Sequence, residues 1–104
     1  MKTKTIFRKF KDNGDIIALF PEVPSDIGGK NCDSFMHIGQ HSAANYQYLL
    51  KETVLATPEE YAELKHELES HYDYKIEVYQ RRTPQMREAY RQYMREWHTP
   101  NKVK

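Results

Sequence analysis

The chain has 104 residues, of which 38% are apolar and 30% charged, and its net charge is only +1. This length fits one domain with one modest core, and the 12% aromatic content excludes a chain that is disordered by composition. The single cysteine, Cys32, excludes an intramolecular disulfide, and the sequence has no apolar run of the roughly 20 residues that cross a membrane. Because the first ten residues also carry no signal-peptide pattern, we expect a soluble, cytoplasmic protein.

The charges are distributed unevenly along the chain. Residues 52–74 carry seven carboxylates and one lysine, whereas residues 75–104 carry eight basic and three acidic side chains. Segments of opposite charge can mark surfaces that contact different partners. The distribution is therefore more informative about function than the total charge is.

The first half of the chain predicts strands. Residues Thr3–Phe10 are rich in β-branched and aromatic side chains, and Asn13-Gly14 is a strong hairpin pattern. The next five residues, Ile16–Phe20, are all apolar, which predicts a second strand covered on both faces. Pro21 is expected to end that strand, and residues 24–31 are expected to form a loop.

A third strand is predicted at Ser34–Ile38. Ser42 is then expected to cap a short helix in which Tyr46, Leu49 and Leu50 share one face. Residues 52–56 are compatible with either a helix end or an extended connection.

The second half of the chain carries two helix-start patterns. Thr57-Pro58 followed by Glu60 predicts an N-cap, a proline in the first turn and a capping box. Residues 74–78 alternate as a strand with one apolar face, and Thr83-Pro84 repeats the cap pattern for a last helix. The core-facing residues expected are Tyr61, Leu64 and Leu68 on the first helix, and Met86, Ala89, Tyr90, Tyr93, Met94 and Trp97 on the second.

These elements predict an α+β fold. The expected order is β-β-β-α-α-β-α, with a small, mostly antiparallel sheet and the helices packed on one face. We expect residues 1–98 to form a single domain and residues 99–104 to be a frayed tail.

Cys32, His37 and His41 lie close together in the sequence, and the His-x3-His spacing occurs in zinc sites. A second cysteine is absent, so Asp33 would have to complete the ligand set. The same residues suggest a Cys-His nucleophile pair, but neither an oxyanion site nor a helix start accompanies them. We therefore predict no catalytic residues, no metal and no cofactor, and we keep a small enzyme or metal protein as a third hypothesis.

The last helix presents a basic face, because Arg87, Arg91 and Arg95 recur every four residues near Arg81 and Arg82. Arginine forks bind phosphate groups and aromatic rings stack on bases, so this face suits RNA or single-stranded DNA. The alternative is a solvated face in which Glu88 pairs with the arginines and the rings lie in the core. The isoelectric point of 7.9 is low for a nucleic-acid-binding domain.

Three segments, Ser34–Tyr46, Ile17–Glu22 and Ala56–Tyr61, resemble short uncharacterised proteins of gut bacteria and their phages and mobile elements. The resemblance covers roughly residues 3–82, and the last helix is longer than in that group. It implies an accessory bacterial or phage protein of the cytoplasm. No catalytic or binding residue is carried over from it.

The segment around Gly39 concentrates hydrogen-bonding side chains beside the predicted third strand. Such a polar turn can bind a ligand or a partner, or it can satisfy its own backbone. Together with the basic helix it supplies the candidate binding residues, namely His37, Gln40, His41, Ser42, Asn45, Tyr46, Arg87, Arg91 and Arg95.

Our leading hypothesis from the sequence is a non-enzymatic binding or regulatory protein that acts through protein contacts. A homodimer is part of this hypothesis, because an acidic internal helix and a basic terminal helix could pair between two copies. Nucleic-acid binding through the terminal helix is the second hypothesis.

Overall fold

A computed structural model of the chain describes residues 2–25, 31–36 and 40–97, with the side chains of residues 40–43 and 97 outside the description. The predicted tail at 99–104 and the candidate residue His37 therefore lie outside the described residues. In the described part of the chain, six strands and three helices follow one another as β1 (Thr3–Phe10), β2 (Ile16–Pro24), β3 (Asn31–Met36), β4 (Gln40–Asn45), α1 (Tyr46–Glu52), β5 (Thr53–Leu55), α2 (Pro58–His71), β6 (Ile76–Tyr79) and α3 (Pro84–Trp97).

The six strands form one sheet, in which five follow the order β4-β3-β2-β1-β5 and β6 also pairs with β1. The outer edge of β1 is divided between two short strands. Its second half pairs with β5 in antiparallel register, with Arg8 opposite Leu55, and its first half pairs with β6 in parallel register, with Thr3 opposite Ile76. The other described pairings are antiparallel, so the prediction of an α+β fold with a mostly antiparallel sheet is confirmed.

The predicted hairpin between β1 and β2 is confirmed. Gly14 has a φ angle of 78°, which a residue with a side chain rarely adopts. The side chain of Asn13 accepts a hydrogen bond from the backbone of Asp15 at 2.9 Å, and the backbone of Gly14 donates to Phe10. Asn13 thus supports the turn through its side chain, while only the glycine takes a positive φ.

Several features of the first half of the chain differ from the prediction: β3 begins at Asn31, inside the predicted loop, and β4 and β5 add two strands to the predicted order. Pro21 does not end β2, because the strand continues to Pro24 through a register shift between Phe20 and Pro24. A proline is tolerated in a strand where such a bulge removes the need for its missing N–H group. Ser42 does not cap a helix either, since it lies in β4 opposite Ser34, and Asn45 caps α1 instead.

The two helix-start patterns in the second half are confirmed. Thr57 caps α2 with a reciprocal capping box, in which the Thr57 hydroxyl accepts from the Glu60 backbone and the Glu60 carboxylate accepts from the Thr57 backbone. At the start of α3, the Thr83 hydroxyl accepts from the backbone of Met86 at 3.2 Å. Neither helix needs a distant contact to define where it begins.

The helices occupy both faces of the sheet, not one face as predicted. The core consists of two apolar clusters, one on each face. Ile6 of β1 packs with residues of α1 and α3 in one cluster, and its neighbour Phe7 packs with residues of α2 in the other. Successive side chains of a strand point to opposite faces, so each face needs its own cover. The apolar run of β2 predicted this cover correctly, and the one-face expectation was wrong because helix order alone does not specify a face.

Aromatic contacts hold α2 and the chain after it on their face. The rings of Phe7 and Tyr61 stack at 4.4 Å, and those of Phe20 and Tyr74 stack at 5.4 Å. On the opposite face Met86 is fully buried, which fixes the start of α3 beneath the sheet. Among the described residues, none of the helices has the length and apolar character needed to cross a membrane.

Candidate functional site

A basin lined by arginine side chains lies on the face of the sheet that carries α1 and α3. It consists of two cavities of about 290 Å³ and 200 Å³, which share Arg82 and Arg87 as walls. We call this feature the arginine basin. The first cavity is lined by Arg8, Tyr46, Gln47, Leu50, Gln80, Arg81, Arg82 and Arg87, and the second by Arg82, Arg87, Tyr90 and Arg91.

Arg8 brings a guanidinium group into the basin from the middle of the sheet. It lies on β1 between Ile6 and Phe10, on the face that points toward α1 and α3, and it is only 9% exposed. Its Nε donates to the Thr53 hydroxyl at 2.6 Å and its Nη2 donates to the Thr53 carbonyl at 2.9 Å. The Thr53 hydroxyl in turn donates to the carbonyl of Leu49, so the guanidinium group is held in one orientation.

Arg82 closes the basin from the connection between β6 and α3. Its guanidinium carbon lies 4.5 Å from the centre of the Tyr46 ring, which is a cation–π distance. The Arg82 backbone also donates to the Tyr46 hydroxyl at 3.2 Å. These two contacts tie the connection to the first residue of α1, and they position Arg81 and Arg82 beside the buried Arg8.

Within the described part of the chain, the basin has no negative charge to compensate its arginines. No described carboxylate is among the side chains that line either cavity. Among the described residues, Arg8, Arg81, Arg82 and Arg87 form no ion pair. Four guanidinium groups in one concave site, with one of them buried, produce a positive potential that favours an anion.

The three arginines predicted on α3 have different environments. Arg87 is exposed and lines both cavities, and Arg91 lines the second cavity. Glu88 accepts hydrogen bonds from Arg91 at 3.1 Å and from Arg95 at 3.2 Å. The hydrogen bonds from Arg95 and Arg91 hold the pKa of the Glu88 carboxyl below its ordinary value. The predicted pairing of Glu88 with this face is therefore present, but it does not involve Arg87.

The aromatic rings near the basin are engaged by the fold. Tyr46 is 6% exposed, and Tyr90 is also buried and donates its hydroxyl hydrogen to the carbonyl of Asn31 at 2.6 Å. On the outer side of α3, Tyr93 is 49% exposed. Of the aromatic residues predicted to face the core from α3, Tyr90 does so and Tyr93 does not, while the Trp97 side chain lies outside the described residues. The basin therefore offers guanidinium groups more readily than stacking surfaces.

The polar segment predicted as a binding turn lies only partly within the described residues. Gln40, His41 and Ser42 lie on β4, and their side chains are outside the described residues. The Asn45 side chain accepts from the backbone of Tyr48 at 2.9 Å, so it serves as the N-cap of α1. Of this segment, Tyr46 is the residue that reaches the arginine basin.

Cys32 is buried between the sheet and α3. Burial raises the pKa of its thiol from 9.0 to about 11, so the thiol is protonated at neutral pH. A protonated, buried thiol is a weak nucleophile. Among the described residues, no cluster of three or more histidine, cysteine or acidic side chains could hold a metal ion. The hypothesis that combined Cys32 with His37 and His41 receives no support from the cysteine.

Comparisons with known proteins add no functional information. No protein-family model matches this chain, and no match was found among curated proteins or solved structures. The resemblance to proteins of gut bacteria and phages consequently stays a prediction. The arginine basin is the feature from which a function can be argued.

Sequence reasoning found the exposed part of the basin and missed its centre. The basic helix pointed to Arg87 and Arg91 with Arg81 and Arg82 nearby, but Arg8 lies more than 70 residues earlier in the chain. One local pattern could have identified it. Arg8 occupies an inward position of a strand whose neighbours on that face, Ile6 and Phe10, are apolar.

Proposed function

We propose that this protein binds RNA or single-stranded DNA through phosphate contacts in the arginine basin. The observation that carries the proposal is a concave cluster of guanidinium groups, with the buried Arg8 at its centre and no carboxylate among the described residues that line it. Arginine forks match phosphate oxygens in geometry as well as in charge. The second cavity extends the positive surface along α3 to Arg91, which gives a strand a path beyond a single phosphate.

Phosphate contacts fit this surface better than base reading does. The nearby rings of Tyr46 and Tyr90 are buried, so a strand would be held mainly by its backbone. Backbone contacts carry no sequence information, and we expect weak sequence preference. The low net charge of +1 does not oppose this, because the acidic α2 lies on the other face of the sheet.

The proposal is tested by fluorescence anisotropy with a labelled mixed-sequence oligonucleotide of about 20 nucleotides, at several salt concentrations. Three or four phosphate contacts predict that the logarithm of affinity falls with the logarithm of salt at a slope of about −2 to −3. We expect Arg87→Gln to weaken binding about fivefold or more and to make the slope shallower by about 0.7.

Lys75→Gln is the matched control for this experiment. It removes one exposed positive charge from a residue that lines neither cavity. Its effect should be less than twofold, because solvent and salt screen charges outside the contact. The proposal fails if the oligonucleotide does not bind at low salt, or if both variants weaken binding equally.

A second candidate function is self-association, which the exposed edge of the sheet favours. β5 pairs on one side only within the described residues, and it carries the exposed side chains of Val54 and Leu55. Tyr48, on the neighbouring α1, is 60% exposed. An open edge with apolar side chains can pair with the same edge of a second copy about a two-fold axis.

Sedimentation velocity over a hundredfold range of concentration tests this second candidate. A homodimer that uses β5 predicts a shift to a larger species, and Val54→Lys should abolish that shift. Val78→Lys, at an equally exposed apolar residue on β6, is the control and should leave the shift in place. A monomer at all concentrations rejects self-association and leaves nucleic-acid binding untouched.

A further inference from the structure

The buried Arg8 is unusual because its direct partners are neutral. Both of its hydrogen bonds go to oxygens of Thr53, and no carboxylate pairs with it among the described residues. A guanidinium group has five N–H donors, so several are left to face the cavity that Arg8 lines. The side chain is thus oriented by the fold but not neutralised by it.

A buried charge without a countercharge is costly to a fold. Proteins that bury an arginine usually pair it, since desolvation of an ion exceeds what neutral hydrogen bonds return. None of the described acidic residues lines either cavity. A bound anion would supply a countercharge to the donors of Arg8 that are left for the first cavity.

The walls of the first cavity limit the form of that anion. Tyr46, Gln47 and Leu50 of α1 form one side, and Gln80, Arg81 and Arg82 of the β6–α3 connection form another. Arg8 lies at the sheet and Arg87 at the first turns of α3. A phosphate within a nucleic-acid strand is bonded to a nucleotide on each side, so its site must leave two openings for the nucleic acid. A terminal phosphate is bonded on one side and needs only one opening.

The charge of the cavity also distinguishes the two kinds of phosphate. A phosphodiester carries one negative charge, whereas a terminal phosphomonoester carries about −1.5 to −2 at neutral pH and has three strong acceptor oxygens. Four arginines, with no carboxylate among the lining residues that the structure describes, match the higher charge. The second cavity, with Arg91, is then placed to contact the next phosphate of the same strand.

We propose that the first cavity of the arginine basin holds the terminal monophosphate of a nucleic-acid strand. This inference rests on the proposed function and adds recognition of the strand end to it. The guanidinium of Arg8 contacts the phosphate from the sheet side, and Arg81, Arg82 and Arg87 contact it from the rim. The remainder of the strand leaves along α3 past Arg91.

The test compares three oligonucleotides of one sequence, with a 5′-phosphate, a 3′-phosphate, or hydroxyl groups at both ends. We expect one phosphorylated form to bind about tenfold more tightly than the hydroxyl form at the same salt, and the preferred end identifies the strand polarity. Arg81→Gln should remove most of this difference, because Arg81 lines only the first cavity. Lys75→Gln is the control and should preserve the difference.

The outcomes separate this inference from the function on which it rests. Equal affinity for all three oligonucleotides, with the dependence on Arg87 intact, overturns end recognition and leaves strand binding in place. A preference for a phosphorylated end that Arg81→Gln does not reduce also overturns the inference, since the end would then bind elsewhere. Absence of binding for all three overturns both.

Discussion

The two faces of the sheet carry opposite charges, and these charges differ in burial and in pairing. On the face covered by α2, carboxylates such as Glu59 and Glu63 are exposed, and two lysine–glutamate pairs, Lys9–Glu60 and Lys65–Glu69, lie at the surface. On the face covered by α1 and α3, Arg8 is buried, and no described carboxylate forms an ion pair with it.

The comparison shows that burial, more than the number of charges, distinguishes a charged surface from a binding site. An exposed carboxylate keeps its hydration, so an unpaired glutamate on α2 costs the fold little. A buried guanidinium group loses hydration and requires compensation. A small cavity near α2 is lined by Asp15, Glu60 and Glu63, but the charges there remain hydrated and Glu60 is already paired with Lys9.

The largest expected effect comes from substitutions that test whether α2 and α3 are packed equally well on the sheet. Leu68 on α2 and Met86 on α3 are fully buried, so Leu68→Ala and Met86→Ala should each lower the free energy of unfolding by about 2–5 kcal/mol. Tyr93→Ala, at an exposed site on α3, should cost less than about 1 kcal/mol. Chemical denaturation followed by circular dichroism measures all three. If Met86→Ala costs no more than Tyr93→Ala, α3 is not docked and the basin does not exist as described.

An intermediate effect is expected from the support of Arg8. Thr53→Val keeps the shape of the side chain but removes the hydroxyl that accepts from Arg8, and hydrogen bonds to charged groups contribute about 1.5–3 kcal/mol. Adding Arg8→Met to this variant should restore much of the lost stability, because no buried charge is then left unsatisfied. The same denaturation measurements show whether this occurs.

Glu60→Gln provides the comparison on the acidic face. It removes the charge partner of Lys9 but retains an acceptor for the capping box. Its loss of stability should be clearly smaller than that of Thr53→Val. The reverse order would mean that the half-buried Lys9–Glu60 pair stabilises the fold more than the buried Arg8–Thr53 contact does. The proposed difference between the two faces would then be wrong.

The smallest expected effect concerns Glu88, a carboxylate that pairs with the basic helix. Glu88→Gln removes a negative charge that pairs with Arg91 and Arg95, so it should raise oligonucleotide affinity about two- to threefold at low salt, with little change in stability. Glu63→Gln removes one negative charge from the opposite face and should change affinity less. Equal gains from both variants would indicate a response to net charge alone, and the binding would not be confined to the basin.

Local patterns predicted the elements that depend on local contacts. The hairpin at Gly14, the capping box at Thr57 and the cap at Thr83 each involve residues within a few positions of one another. The prediction of a helix cap at Ser42 was wrong, because the structure of this segment depends on a distant contact. Its strand is defined by pairing with Ser34 across the sheet. A serine before apolar residues is compatible with a helix cap or with an edge strand until that pairing is known.

The amino-acid sequence alone was sufficient for the α+β class, for the strand and helix starts with strong turn or cap chemistry, and for the basic face of α3. Each of these follows from periodicity or from side-chain–backbone contacts over short distances. The tertiary structure decided that α2 and α3 lie on opposite faces, and that Arg8 of β1 meets Arg81 and Arg82 of a distant connection. Strand pairing brings these residues together, and it is not encoded within a short window of sequence, whereas the alternation that turns Arg8 toward α1 and α3 is local.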